Sequence, residues 1–305
     1  ILTSSIQVKT AATFSFRLPS PQKVLSYLLY WYPYKPYYGD REKLYVKTEF
    51  LKKYSNIIWI IDCSINSNYL GINDSTYNTT PFLEKNSNLY INAGRVASIT
   101  NCSSTSNIYL MGMGEKNDLP DFDEKLLKNP SIFAYAQNAG YNTAYISSQS
   151  EGDRLQNYMT HFDLEDIDYF FQPIKREEKD PQYADEHLAN HIIDYLGKHN
   201  GSFIYAVKSG AHFPWQHNYP LEQAIYKPSL NKNEGISDVG YQTRLNTYLN
   251  AIRWKTDHFF NTLLSDPTIL DNTLMIYTSD HGQVIHSNQT HCSTYDPDIQ
   301  EGMVP

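Results

Sequence analysis

Three short apolar runs in this chain each end in side chains able to bind a cation, and that recurrence restricts the fold more than any other feature. Residues 56–61, Asn-Ile-Ile-Trp-Ile-Ile, are continuously apolar after the first position. Such a run is expected of a strand buried on both faces. It ends in Asp62-Cys63-Ser64. A second run, residues 203–207, leads into Lys208-Ser209-Gly210-Ala211-His212. A third, residues 274–278, ends in Ser279-Asp280-His281-Gly282, with His286 and His291 close behind. Helical spacing fills residues 130–139, 183–196 and 243–264, and residues 142–146 read as a further strand. Strand alternating with helix across short connectors predicts an α/β fold, a doubly wound, mostly parallel sheet flanked by helices. In such sheets ligands bind beyond the carboxyl ends of the strands, where these polar residues fall.

The pattern begins only after residue 52. Residues 1–52 mix Pro19, Pro21, Pro33, Pro36 and Gly39 with many aromatics and one short helix-like stretch at residues 22–31. They read as an arm or linker packed over a larger domain formed by residues 53–305. The chain opens on Ile1 without an initiating Met, which suggests a piece cut from a longer protein whose anchor lies upstream. No stretch of the chain reaches the ~18–20 apolar residues needed to cross a bilayer. With 33 acidic against 25 basic residues the net charge is −8, and no basic run exceeds two residues, so nucleic acid is not expected as a partner. Cys63, Cys102 and Cys292 are too few for a disulfide framework and allow at most one pair.

A carboxylate, a thiol and imidazoles gathered at one sheet edge suit Zn2+. A hydroxyl-rich loop, Asn101-Cys102-Ser103-Ser104-Thr105-Ser106-Asn107, supplies alcohols that a cation can activate. The same composition also describes an ordinary helix N-cap. Its place in the chain, rather than its residue types, argues for chemistry.

Thr278-Ser279-Asp280-His281-Gly282 resembles the metal-binding signature of bacterial phosphoethanolamine transferases, in the sulfatase-like branch of the alkaline phosphatase superfamily. Four other places agree in order and approximate spacing. Residues 56–83, ending Asn78-Thr79-Thr80-Pro81-Phe82-Leu83, resemble the opening strand and its Thr-Thr-Pro segment. Residues 98–113 resemble the nucleophile loop and helix, Gly210 to Pro214 with Tyr219-Pro220 resemble the His-x-Pro stretch, and residues 248–256 resemble the helix before the last strand. The resemblance implies zinc, with one ion expected and a second allowed, and transfer of phosphoethanolamine through a phospho-Ser/Thr enzyme. The implied donor is phosphatidylethanolamine, and the implied acceptor is a cell-envelope glycan or lipid A-type lipid. It further implies an inner-membrane protein whose catalytic domain faces the periplasm, attached through a missing N-terminal region.

Residue by residue, Asp280 and His281 carry over as metal ligands. The family spacing after Cys102 places Ser106 at the nucleophile, with Thr105 as the alternative. His212 and His291 match family histidines near a second metal or the incoming phosphate, and His212 could serve as general acid. His217 and His286 have no match. The chain departs from the family where a glutamate usually follows the first strand: Cys63 stands there, with Asp62 as the rival ligand. Gln283 replaces another glutamate, which puts a fixed second metal in doubt. No Cys-x-Pro-Ser-Arg or Ser-x-Pro-Ser-Arg pattern is present, which disfavours sulfate-ester hydrolysis. A glycerol-phosphate or other phosphodiester transferase on the same fold, and a non-catalytic lipid or glycan binder, are the alternatives.

Overall fold

The structure is a computed structural model and describes residues 40–45, 53–118, 121, 124–173, 180–285 and 302–305. The helix-like stretch at residues 22–31, and His286, His291 and Cys292, lie outside the described residues. Strands β1 (Asn56–Asp62), β3 (Asn142–Ser147), β4 (Tyr169–Phe171), β5 (Ser202–Val207) and β6 (Thr273–Ser279) form one five-stranded sheet in the order β4-β3-β5-β1-β6. Every pairing in it is parallel. The short strands β2 (Val96–Ala97) and β7 (Met303–Val304) pair separately as an antiparallel ribbon.

The period of two along β1 sends its side chains into two different cores. Ile58 and Ile60 pack with Leu188, Ala189 and Ile192 of α5 (Ala184–Leu196) and with Phe259, Phe260 and Leu263 of α7 (Phe259–Leu263). Ile57, Trp59 and Ile61 face the other way, with Met111 of α2 (Ser103–Met111) and Phe133 and Ala136 of α4 (Ile132–Asn138). Helices thus cover both faces, and the sheet is the middle of three layers. Two short helices, α1 (Pro81–Lys85) and α3 (Lys125–Lys128), complete the set.

Most predicted elements lie where the pattern placed them. The helix predicted over residues 243–264 starts slightly earlier, as α6 (Tyr241–Ile252), and continues into α7 through a π-helical turn, Arg253–His258. That turn buries Lys255, Thr256 and Asp257, polar residues that a regular apolar stripe would have left exposed. β4 escaped prediction because three residues are too few to show a period.

Tyrosine is used here as core material. Tyr145 is 1% exposed and stacks on Phe170 and Tyr205 at centroid distances of 5.2 and 6.2 Å. Burial pushes its phenol up to about 12, against a smaller opposing effect of the Ser147 hydroxyl. The folded chain therefore holds this proton more tightly than the unfolded chain, whose tyrosines ionise near pH ~10. Stability from this residue is intact below pH ~10 and is lost as pH rises through the folded value, by at most about 2–3 kcal/mol. Urea unfolding at pH ~9 and ~11 should show a smaller alkaline loss in Tyr145→Phe than in wild type. Equal losses would remove Tyr145 from the account.

Candidate active site

Parallel pairing brings the carboxyl ends of β1, β5 and β6 to one edge, with β1 between the other two. In register, Asp62 stands opposite Ser279, and Asp280 donates its N–H to the Asp62 carbonyl at 2.9 Å. Cys63 and the Asp280–His281 pair are therefore neighbours although 217 residues separate Cys63 from Asp280 in sequence. The Cys63 sulfur, an Asp280 oxygen and a His281 ring nitrogen all lie within 4.8 Å of one another, and all three residues are buried.

Each donor is aimed by a partner behind it. His281 Nδ1 donates to the Gly282 carbonyl, which can only accept, so Nε2 carries the lone pair. Asp280 Oδ1 accepts from the backbone N–H groups of His281 at 2.7 Å and Ser64 at 3.3 Å. Its Oδ2 faces the Asn107 amide at 3.5 Å, and the Tyr205 hydroxyl donates to the other end of that amide at 3.2 Å. Ser64 takes a left-handed backbone, φ 61°, which turns the chain away immediately after Cys63. Burial pushes the Cys63 thiol well above its usual range, and the Asp280 charge adds to the effect, while the Ser103 and Ser64 hydroxyls draw it back. Only a cation at the centre of the triad would make the thiolate the stable form.

A fourth donor completes the cluster. Ser103 Oγ lies 3.1 Å from His281 Nε2 and 3.5 Å from Cys63 Sγ. His281 Nε2 in turn stands 3.7 Å from Asp280 Oδ1. Zinc bonds of ~2.0–2.3 Å imply tetrahedral edges of roughly 3.3–3.7 Å, so the 3.5 and 3.7 Å separations and the S, N, O donor set fit that ion, while the 3.1 Å one is a little shorter.

Within the hydroxyl loop a different residue stands beside the triad. Ser103, not Ser106 or Thr105, meets the triad. Ser106 is 3% exposed and bonds to Thr100, at 3.1 Å to its hydroxyl and 3.2 Å to its carbonyl. The physical reason is where α2 begins: Cys102 is the extended N-cap, φ −139°, so Ser103 is the first helical residue and projects from the helix end. Ser106, three residues on, is already inside the helix and accepts no such position. The usable signal in the sequence was the hydroxyl directly after the cap, rather than a fixed count from Cys102. Cys63 is free.

Asp62, the rival ligand, is engaged elsewhere. It is fully buried, and its carboxylate pairs with Lys208 and accepts from the Tyr277 hydroxyl at 2.9 Å. Its Oδ1 accepts from the Cys63 N–H at 2.9 Å. Cys63, rather than Asp62, is the member of the ligand cluster. His212 lies outside that cluster, exposed on the loop after β5, with Nδ1 donating to the Phe213 carbonyl at 2.6 Å. Among the described residues, Cys63, Asp280 and His281 are the one such ligand group. His291 lies outside the described residues.

A parallel three-layer α/β fold, with a ligand set past its strand ends and a hydroxyl on a helix N-terminus, defines the alkaline phosphatase/sulfatase-like class. The Sulfatase family matches residues 55–304, and the chain belongs to that family. It is 25% identical over 186 residues to the phosphoethanolamine transferase EptC of Escherichia coli O18:K1:H7 (strain RS218 / NMEC), a match covering 58% of this chain and 30% of that relative. The chain thus matches less than a third of the curated relative's length. Among solved structures it resembles the integral membrane lipooligosaccharide phosphoethanolamine transferase A of Neisseria meningitidis, with a TM-score of 0.73 at 17% identity over 98% of this chain and 58% of that one. It also resembles the C-terminal periplasmic domain of Escherichia coli EptC in complex with Zn, with a TM-score of 0.62 at 17% identity over 83% and 72% of the two chains. Among the described residues, no helix is long and apolar enough to cross a membrane.

Proposed function

We propose that this domain transfers phosphoethanolamine from phosphatidylethanolamine to a hydroxyl of a cell-envelope glycan or lipid A-type acceptor, through a covalent intermediate on Ser103. The observation that carries the reading is the Ser103 hydroxyl, 3.1 Å from His281 and 3.5 Å from Cys63. Cys63, Asp280 and His281 would hold one Zn2+ with Ser103 beside it. When bound, the ion supplies Lewis-acid charge that favours the serine alkoxide and steadies the phosphoryl oxygens.

The chain's own groups perform the remaining work. Ser103 Oγ forms a bond to phosphorus as the bond to the diacylglycerol oxygen breaks, and that oxygen takes up a proton. His212, on the loop whose Ala211 N–H bonds the Cys63 carbonyl at 3.0 Å, is assigned that proton. The first N–H groups of α2 have no acceptor within the helix and point toward the phosphoryl oxygens. In the second half-reaction the acceptor hydroxyl attacks phosphorus and Ser103 leaves as the regenerated alcohol. In this reading residues 1–52 would lead to a membrane-anchored part, with the site at the periplasmic face of the inner membrane. The likeness to an integral membrane relative supports that placement.

The test is to incubate the protein with phosphatidylethanolamine labelled in its headgroup. Release of diacylglycerol with label retained on the peptide containing Ser103 is the expected result. Label that never enters the protein, while the donor is consumed, would refute the covalent route.

A further inference from the structure

Behind Cys63 lie four charged side chains from four separate parts of the fold: Asp62 at the end of β1, Asp185 in the first turn of α5, Lys208 after β5 and Lys255 in the π-helical turn. Their exposures are 0, 2, 0 and 0%. Lys208 Nζ pairs with Asp62 Oδ2 and donates to the Lys255 carbonyl at 2.6 Å. Lys255 Nζ stands 3.6 Å from Asp185 Oδ2 and 3.1 Å from Ser209 Oγ. Two carboxylates and two ammonium groups leave the cluster neutral. Buried ion pairs are poor stabilisers, since desolvation consumes most of the attraction and apolar replacements do as well. Their presence calls for a different explanation.

Both carboxylates act on the backbone around Cys63. Asp62 Oδ1 holds the Cys63 N–H at 2.9 Å. Asp185 accepts from the N–H groups of Ser209 at 2.8 Å and Gly210 at 2.9 Å, and from the Ser209 and Ser148 hydroxyls at 2.9 and 2.6 Å. Burial opposes ionisation of Asp185, but Lys255 and Lys208 hold its carboxyl well below the ordinary range. The loop fixed in this way closes on Cys63: the Ala211 N–H reaches the Cys63 carbonyl at 3.0 Å. At Gly210, φ +58°, an added Cβ would stand 2.2 Å from the Cys63 carbonyl oxygen and 2.7 Å from its nitrogen, so only glycine permits the approach. The Cys63 peptide is held at both its N–H and its carbonyl. A cysteine has one heavy-atom side-chain torsion, so the backbone decides where its sulfur can go.

We propose that the Asp62–Lys208 and Asp185–Lys255 pairs are positioning residues that lock the Cys63 backbone so that its sulfur reaches the cation site. This rests on Cys63 being a metal ligand, as in the proposed function. Loss of Lys208 frees the Asp62 carboxylate to rotate off the Cys63 N–H.

Cobalt substitution of the whole protein reads the sulfur–metal bond directly, through the thiolate-to-cobalt charge-transfer absorption, alongside zinc affinity by competition titration. Lys208→Met should weaken zinc about 10–100-fold and lower the charge-transfer band, as for other groups that orient metal ligands. The double variant Asp62→Asn with Lys208→Met keeps an acceptor for the Cys63 N–H without a charge, and should recover to within about threefold of wild type. Tyr277→Phe removes only the hydroxyl donated to Asp62, so it tests the idea even if Lys208→Met does not fold; it should weaken zinc by roughly three- to tenfold. Folded variants with an unaltered band and zinc affinity within about twofold of wild type would overturn the positioning role. A wild-type protein with no thiolate–cobalt band would instead overturn Cys63 as a ligand, and the positioning idea with it.

Discussion

Ser103→Ala should abolish the phospho-enzyme and lower turnover by at least about 10³-fold, because no second hydroxyl can take over an attack made from the helix end. The expectation is specific to one of four neighbouring alcohols, Ser103, Ser104, Thr105 and Ser106. Ser106→Ala removes a buried hydrogen bond to Thr100 and should cost stability of about 1 kcal/mol while leaving turnover within about tenfold. Thr105→Ala should behave like Ser106→Ala in turnover. Ser103→Thr keeps an alcohol at the same position and should retain adduct formation. Intact-protein mass measurement after a single turnover separates the variants. A covalent adduct that persists in Ser103→Ala and vanishes in Ser106→Ala would return the nucleophile to the interior of α2.

The second large effect concerns Cys63. Cys63→Ala deletes one member of the Cys63–Asp280–His281 triad, whose ligand atoms lie within 4.8 Å of one another. Zinc should be held at least about 10²-fold less tightly, which corresponds to about 2.7 kcal/mol, since loss of a direct ligand exceeds the cost of losing a supporting partner. The fold itself should survive, because the sulfur fills a small volume and the strands on either side remain paired. Dialysis against a chelator, followed by titration with zinc, is the measurement. Wild type should regain metal and phospho-enzyme formation, and the variant should regain neither at the same free zinc. Asp62→Asn, by contrast, keeps the acceptor that faces the Cys63 N–H and should retain the metal. If Asp62→Asn lost the ion while Cys63→Ala kept it, the ligand assignment between these adjacent residues would be reversed.

The sheet was legible because fully buried parallel strands leave uninterrupted apolar runs, as in β1, and because helices between them carry a clear stripe, as in α5. The resemblance favoured Cys63 over Asp62, but the physical ground for that choice was not legible, since the two are adjacent at the end of one strand. What separates them is a lysine 146 residues away, whose ammonium group claims the Asp62 carboxylate. Pairing partners at that distance leave no local trace. Ser103 was missed for a different reason. A motif count from Cys102 to Ser106 assumes where the helix begins, and the backbone of Cys102 itself, extended rather than helical, sets that start at Ser103, three residues before Ser106. The π-helical turn was likewise hidden, because its inserted residue, which buries Lys255, merely blurs a helical period. In each case the pattern gave the element and the tertiary partner gave the atom.

The central place of β1 in the sheet has a consequence for synthesis. Its neighbours, β5 and β6, begin at residues 202 and 273, so the strand that leads into Cys63 waits for a long stretch of later chain before either edge is satisfied. A growing chain on the ribosome can expose a lone thiol, but it cannot offer the thiol, carboxylate and imidazole together. On the proposed function, ion capture would then wait for β6 and the Asp280–His281 pair that follows it.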